Sequence, residues 1–202
     1  SIVTKLPGNK VERIYSRYAL RLDQIVNQEE INDNTPKKVQ QLFQQLENDL
    51  KSNLPTRDMF LKGFDVIKYK TTEQGRSLVK YVLSEINNYW QPTNELKIDY
   101  NNVNIEHIIP RNPDKSWGLT KTDIRDYVNN LGNLTLIDKI INSKAGNKSL
   151  SQKIELLETS QLPITKKLIA EIKSENKEWN KETILQRQKD LAELAFDEVW
   201  KF

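Results

Sequence analysis

The sequence contains no cysteine and only one histidine, His107. The absence of cysteine excludes a disulfide-stabilised mini-protein, a zinc finger with thiolate ligands and catalysis by a cysteine nucleophile. Because there is one histidine, any imidazole chemistry must depend on it. The 202 residues suffice for one hydrophobic core, or for one domain with an added helical module.

Long hydrophobic runs are also missing. No segment approaches the roughly 20 consecutive apolar residues of a membrane-spanning helix, and the mean hydropathy is −0.71. We therefore expect a cytoplasmic protein without a membrane partner. The chain begins at Ser1 without the pattern of a signal peptide, and we expect it to be part of a longer protein.

The excess of positive charge is small. The chain has 31 Lys and Arg against 28 Asp and Glu, a net charge of +3. Between His107 and Lys153 there are eight basic and four acidic residues, so the surplus lies in the middle of the chain. A surplus of this size is typical of a solvated surface, and it does not by itself predict a nucleic-acid partner.

Hydrophobic spacing predicts a mostly helical α+β protein. Apolar residues recur at helical intervals in residues 9–27, 35–50, 72–90 and 180–199. After Pro92, β-branched residues cluster in short runs, which predicts two or three strands, at 97–99, 103–109 and 131–137. A short helix over 120–129 is expected between the last two strands, with Asp123 in a capping box. We expect a helical scaffold over 1–92, a core over 93–160 and C-terminal helices over 161–202 that pack on that core, together forming one integrated domain.

Three sequence blocks carry the candidate chemistry. His107 lies in Ile105-Glu106-His107-Ile108-Ile109-Pro110, and a lone histidine in an apolar run is most often a hydrogen-bonded core residue. Two further blocks change that interpretation: Leu131-Gly132-Asn133-Leu134-Thr135-Leu136, and the segment from Asn142 to Lys148. The order is a strand with Glu-His, a strand with Asn, and a helix with Asn.

This order resembles the ββα-metal fold of HNH nucleases with asparagine as the last member of the triplet. The blocks Glu-His-Ile-x-Pro, Leu-Gly-Asn-Leu-Thr-Leu and Asn-x-Lys-x-x-Asn are similar to the C-terminal nuclease domain of GmrSD-like type IV restriction enzymes. The closing helix of that family is matched by five further residues, Trp179, Ile184, Arg187, Leu191 and Trp200.

The resemblance implies a metal-dependent endonuclease that hydrolyses DNA. His107, whose reference pKa is about 6.5, can act as a neutral general base, and Asn133 holds the imidazole orientation through the loop between the strands. Glu106 and Asn142 supply oxygen ligands of the kind that suits a single Mg²⁺ or Mn²⁺ ion; the alternative for Glu106 is a carboxylate that faces solvent or pairs with a lysine. The expected basic contacts to DNA phosphates are Arg111, Lys144 and Lys148, for which a solvated surface is an equal alternative.

Two points of geometry stay open in the sequence. Adjacent residues of an ideal strand face opposite sides, so Glu106 and His107 line one site only if the strand ends or twists there. On a helix, Asn142 and Asn147 are roughly 140° apart, so we assign Asn142 to the metal and Asn147 to a cap or a loop contact beside the DNA. Arg187 is expected to be a snorkelling side chain or part of a structural ion pair, and Trp117, Trp179 and Trp200 are expected in the core.

The family resemblance also implies partners. An N-terminal nucleotide-hydrolysing sensor domain, or a partner chain with that role, is expected to select modified or foreign DNA in phage defence, and a homodimer would allow a double-strand break. Two alternatives remain: a non-catalytic module that binds DNA or bridges partners on a nuclease fold, and a ribonuclease with the same chemistry.

Overall fold

A computed structural model describes residues 8–28, 32–93, 102–139, 146–174 and 178–201. By contacts the chain divides into two compact units, one up to Gly63 and one from Phe64 to Lys201. The described helices are α1 (Gly8–Asp23), α2 (Thr35–Lys51), α3 (Arg57–Asp65), α4 (Glu73–Tyr89), α5 (Lys121–Ile124), α6 (Leu150–Leu157), α7 (Pro163–Ser174) and α8 (Lys181–Leu194). The strands are β1 (Val103–His107) and β2 (Leu134–Asp138), which confirms the expected α+β, mostly helical class.

The first unit is built on the pair of helices α1 and α2. Their apolar faces meet at the buried residues Ile14, Tyr18 and Leu42. The hydroxyl of Tyr18 donates to Asp49 over 2.8 Å, and Arg17 pairs with the same carboxylate at 2.6 Å. The amphipathic spacing seen in the sequence therefore corresponds to one helix-on-helix contact closed by a polar cluster.

The second unit carries the two strands, which pair antiparallel. The register runs from Val103 opposite Asp138 to His107 opposite Leu134. Two of the three predicted strand regions thus form one hairpin-like sheet, and the third, at 97–99, lies outside the described residues. Four of the five residues of β2 are buried, Thr135 among them, so both faces of this strand are covered.

The core of the second unit lies between the strands and the C-terminal helices. Its buried members are Ile108, Ile109, Ile124, Tyr127, Val128, Ile137, Leu157, Leu168, Ile169, Ile172, Trp179 and Ile184. Trp179 is a core aromatic, as expected, whereas Trp117 is only partly buried at the edge of this cluster. Trp200 stacks on Tyr81 with 6.3 Å between ring centroids.

Helix α5 is shorter than the sequence predicts. The expected capping box is present, since Thr120 and Asp123 exchange backbone and side-chain hydrogen bonds, but the helix ends at Ile124 instead of residue 129. Residues of the following turn bind another segment of the chain: the carbonyl of Asn129 accepts from the amide of Tyr69 at 2.8 Å, and that of Asp126 from the Lys68 ammonium at 3.2 Å. These bonds hold the turn that follows α5, and they bring residues 67–69 close to it.

Helix α8 clamps the loop that precedes β2. The buried Arg187 guanidinium donates to the carbonyls of Gly132 and Leu134 at 2.7 and 2.8 Å, and Gln188 accepts from the amide of Gly132 at 2.9 Å. A Cβ at Gly132 would lie 1.9 Å from the carbonyl oxygen of Ile184, so this contact requires glycine. Arg187 does not snorkel, which was one of the two expectations for it: it is buried and holds backbone carbonyls, because the loop buries carbonyls that the sheet leaves unpaired.

No helix among the described residues has both the length and the apolar character needed to cross a membrane.

Candidate active site

Glu106 and His107 form the end of β1, and both are buried, with 8% and 9% of their surface exposed. Ile108 donates across the strands to the carbonyl of Asn133 at 2.9 Å. Since hydrogen-bonded pairs alternate along an antiparallel ladder, the backbone groups of His107 lie on the edge of β1 that faces away from β2. The two side chains contact different elements, as the alternation of a strand requires.

Lys153 of α6 binds the end of β1 from that edge. Its ammonium lies 2.5 Å from a carboxylate oxygen of Glu106 and 2.6 Å from the carbonyl oxygen of His107. Only 1% of the Lys153 side chain is exposed. Burial raises the pKa of Glu106 and lowers the pKa of Lys153, while the attraction between the two charges opposes both shifts. The pair fixes the peptide that carries His107.

The imidazole of His107 lies between Asn129 and Tyr69. Its Nε2 is 3.2 Å from the side-chain oxygen of Asn129, and its ring meets the Tyr69 ring edge-on, with centroids 4.8 Å apart. In the tautomer with its proton on Nε2, the imidazole donates to this oxygen and keeps its basic lone pair on Nδ1.

The protonation state of His107 follows from its surroundings. Burial lowers the pKa of His107 to about 4, with smaller lowering effects from the charges of Arg111 and Lys153, against a raising effect of the Asn129 hydrogen bond. The imidazole is therefore neutral at neutral pH. A neutral imidazole has a lone pair that can accept a proton, but a pKa of about 4 makes it a weaker base than a free imidazole, because a general base is most effective with a pKa near the working pH.

This pKa predicts a specific pH dependence of stability. The unfolded chain takes up a proton on His107 near pH 6.5, whereas the folded chain does so only near pH 4, so acid favours unfolding between these values. We expect a loss of roughly 2 kcal/mol in the free energy of unfolding between pH 7 and pH 5 that is absent in His107→Gln. Urea unfolding of both proteins at each pH measures it, and parallel pH dependences would contradict it.

Asn133 lies in the loop before β2 and is completely buried. Its side-chain oxygen accepts from the amide of Ile109 at 2.9 Å and from the indole of Trp179 at 3.1 Å. Its amide nitrogen donates to the carbonyls of Ile109 and Val128 at 2.9 and 2.8 Å. All four bonding positions of the side chain are thus used within the fold, and the contact with His107 runs through the backbone of the following two residues.

The structure describes three of the five remaining predicted site residues, Arg111, Asn147 and Lys148. Asn142 and Lys144 lie outside the described residues. Asn147 and Lys148 are exposed in the turn before α6, where the Lys148 carbonyl accepts from the Trp117 indole at 3.0 Å. Arg111 is exposed, and its guanidinium carbon lies 5.2 Å from the centroid of the Tyr69 ring. Arg111 and His107 thus both contact the ring of Tyr69.

The oxygens at the end of β1 suit a hard cation. Among the residues that the structure describes, no group of three or more His, Cys, Asp or Glu side chains could hold a metal ion. The Glu106 carboxylate and the His107 carbonyl nevertheless converge on one cation, the ammonium of Lys153. Glu106 is a hard oxygen donor of the kind that Mg²⁺ takes, but Lys153 already neutralises its carboxylate, so an ion bound there would have to displace the ammonium.

Three residues of the site were not identified in the sequence. Lys153 had a visible signal, because Leu150, Lys153, Ile154 and Leu157 share one helical stripe in which a lysine is out of place. Asn129 and Tyr69 had none, since each reaches His107 only through the turn that ends α5.

A comparison with families of known proteins identifies the relatives of this chain. Residues 54–194 match the family described as GmrSD restriction endonucleases, C-terminal domain. The chain belongs to this family. The GmrSD match spans the two strands, the Glu-His block and the whole of α8, and it points to a nuclease role of the restriction type. No curated protein matches the chain.

Proposed function

We propose that this GmrSD-type domain is an HNH endonuclease that hydrolyses DNA phosphodiester bonds with His107 as general base and a single Mg²⁺ or Mn²⁺ ion. The observation that carries the proposal is the position of His107 inside the matched region: a buried imidazole at the end of β1, held at Nε2 by Asn129 and next to Arg111 through the Tyr69 ring. His107 follows a carboxylate residue, lies near the exposed Arg111 and falls within the residues that match a family of endonucleases. A histidine with a structural role alone would require none of these.

Each residue of the site has a separate role in this proposal. His107 accepts the proton of the attacking water at Nδ1 while Asn129 holds Nε2, and Asn133 and Lys153 fix the backbone on either side of the imidazole. Glu106 and Asn142 would hold the ion, which when bound neutralises charge on the phosphate and on the leaving 3′ oxygen. Arg111, Lys144, Asn147 and Lys148 would bind DNA along its backbone.

The wider role follows from the family. We infer an effector in restriction and phage defence that acts in the cytoplasm, gated by a nucleotide-hydrolysing sensor on the same or another chain. A double-strand break would require two sites and hence a homodimer.

Plasmid cleavage tests the proposal. The purified chain is incubated with supercoiled DNA and Mg²⁺, Mn²⁺ or EDTA, beside His107→Ala, Asn142→Ala and Asn34→Ala. Asn34 is an exposed residue whose side chain forms no capping bond, so it controls for the asparagine substitution. We expect metal-dependent nicking that falls at least about a hundredfold in His107→Ala and persists in Asn34→Ala. Equal cleavage by wild type and His107→Ala would contradict the proposal.

The same assay addresses the two alternatives. An RNA substrate cut faster than DNA under the same conditions would favour a ribonuclease. DNA binding without cleavage in any metal, unaffected by His107→Ala, would favour a non-catalytic binding module.

A further inference from the structure

A segment outside the recognised motif supplies an aromatic ring to the site. Tyr69 lies between α3 and α4, far from His107 in sequence, and its amide donates to the carbonyl of Asn129 at 2.8 Å. Its neighbour Lys68 pairs with Asn130 in an isolated β-bridge. The turn whose Asn129 side chain binds His107 therefore also fixes the backbone of Tyr69, and ring and imidazole are positioned by one structure.

The Tyr69 ring contacts two groups of different character. One is the imidazole of His107, edge-on with centroids 4.8 Å apart. The other is the guanidinium of Arg111, whose carbon lies 5.2 Å from the ring centroid. That distance is within the range of about 6 Å in which the negative face of an aromatic ring attracts a cation.

Arg111 has hydrogen-bond donors to offer to a ligand. It is exposed, and within the described ranges no carboxylate forms an ion pair with it. A planar guanidinium binds two oxygens of one phosphate, provided that its orientation is fixed. Stacking on Tyr69 supplies that orientation, since it restrains a long and otherwise flexible side chain.

The position of Arg111 suits the phosphate that His107 would serve. The two ring contacts place the guanidinium carbon no more than about 10 Å from the imidazole centroid. A path from the imidazole to a bound water, from the water to phosphorus, and from a non-bridging oxygen to the guanidinium has a similar length when each contact is about 3 Å. One phosphate can then contact Arg111 while a water approaches it from His107.

We propose that Tyr69 is a positioning residue that holds Arg111 as a phosphate clamp beside His107. The inference rests on the proposed function and extends it, because it assigns the clamp to one arginine and its orientation to a residue of the segment between α3 and α4. The ligand is a phosphodiester of the DNA backbone.

A double-mutant cycle tests the clamp. Binding of a short fluorescent DNA duplex to the full 202-residue chain is measured by anisotropy in EDTA at several salt concentrations. The proteins are wild type, Tyr69→Phe, Tyr69→Leu, Arg111→Gln and the double variant Tyr69→Leu/Arg111→Gln. Tyr15→Leu, at an exposed tyrosine of α1, controls for the loss of a tyrosine.

The expected result is a coupling between the two residues. Arg111→Gln lowers the slope of log Kd against log salt by about one. Tyr69→Leu weakens binding about two- to fivefold in the wild-type background and has no effect when Arg111 is already glutamine. Tyr69→Phe retains the aromatic face and binds like wild type, as does Tyr15→Leu.

Other outcomes separate the possible failures. If Tyr69→Leu weakens binding equally with and without Arg111, or not at all, Tyr69 is a packing residue and the clamp is overturned. If Tyr69→Phe fails to bind like wild type while melting at the same temperature, the hydroxyl acts instead of the ring, and the clamp is again overturned. If wild type shows no salt-dependent DNA binding, the proposed function itself fails, whatever the variants do.

Discussion

Replacing Lys153 by methionine is expected to lower the free energy of unfolding of the Phe64–Lys201 unit by about 3–5 kcal/mol. The substitution keeps the length of the side chain and removes its charge. Glu106 and the His107 carbonyl then lose the ammonium that lies 2.5 and 2.6 Å away. Because Glu106 is buried, water does not replace that partner at full strength, and the carboxylate bears the cost of its desolvation.

A matched exposed pair makes this expectation specific. Lys173 pairs with Glu158, and the two side chains are 54% and 41% exposed, so Lys173→Met should cost less than about 1 kcal/mol. The double variant Lys153→Met/Glu106→Leu should recover much of the loss, since both buried charges are gone.

Urea unfolding followed by tryptophan fluorescence measures these effects. All four tryptophans, Trp90, Trp117, Trp179 and Trp200, lie in the Phe64–Lys201 unit, so the signal reports on that unit. A loss below 1 kcal/mol for Lys153→Met, equal to that of Lys173→Met, would show that the ammonium contributes no more than a surface charge.

The spacing of apolar residues predicted the helices and strands that pack through ordinary hydrophobic contacts. The helices that correspond to α1, α2, α4 and α8 follow from apolar residues at helical spacing, because such a stripe must be buried against something. The strand regions around His107 and Asn133 follow from their β-branched and apolar runs. The division into scaffold, core and C-terminal helices stays a prediction.

Local rules failed where distant segments of the chain meet. The pattern over 120–129 favours a helix, but the segment after Ile124 is a turn, and its carbonyls at Asp126 and Asn129 accept from Lys68 and Tyr69. No window of the sequence contains both partners. The role of Arg187 was missed for the same reason, since its acceptors are carbonyls more than 50 positions away, at Gly132 and Leu134.

About half of the residues of the candidate site could be identified from the sequence. The motif singled out Glu106, His107 and Asn133, and the strand alternation correctly warned that Glu106 and His107 have different surroundings. The residues that give those two side chains their properties, Lys153, Asn129 and Tyr69, were found only in three dimensions. Residue type and order identified the residues that carry the chemistry, whereas Asn129 and Tyr69 were identified only by their contacts with His107.

Asn133→Ala is expected to be at least as damaging to folding as the loss of Lys153, with a cost of about 4 kcal/mol or more. Truncation leaves four groups without their partner: the amide and the carbonyl of Ile109, the carbonyl of Val128 and the indole of Trp179. Each unsatisfied buried group costs roughly 1–3 kcal/mol, less any gain from rearrangement. Ile109, which follows β1, and Val128, which precedes β2, would both lose the side chain that joins them.

A neighbouring asparagine provides the control. Asn130 is also buried, with 4% of its surface exposed, but its side-chain oxygen has no hydrogen-bond partner among the described residues. Asn130→Ala should therefore cost much less than Asn133→Ala in the same fluorescence-monitored unfolding experiment, because fewer bonds are broken.

The comparison also separates two roles for Asn133. If it acts only by holding the loop, the observed cleavage rate of Asn133→Ala, relative to wild type, should recover at low temperature, where more of the protein is folded, and the loss of cleavage should follow the loss of structure. A variant that unfolds at the wild-type urea concentration yet no longer cleaves DNA would place Asn133 in direct contact with the reaction. The four bonds within the fold make the first result the expected one, because they leave the side chain no free position with which to bind substrate.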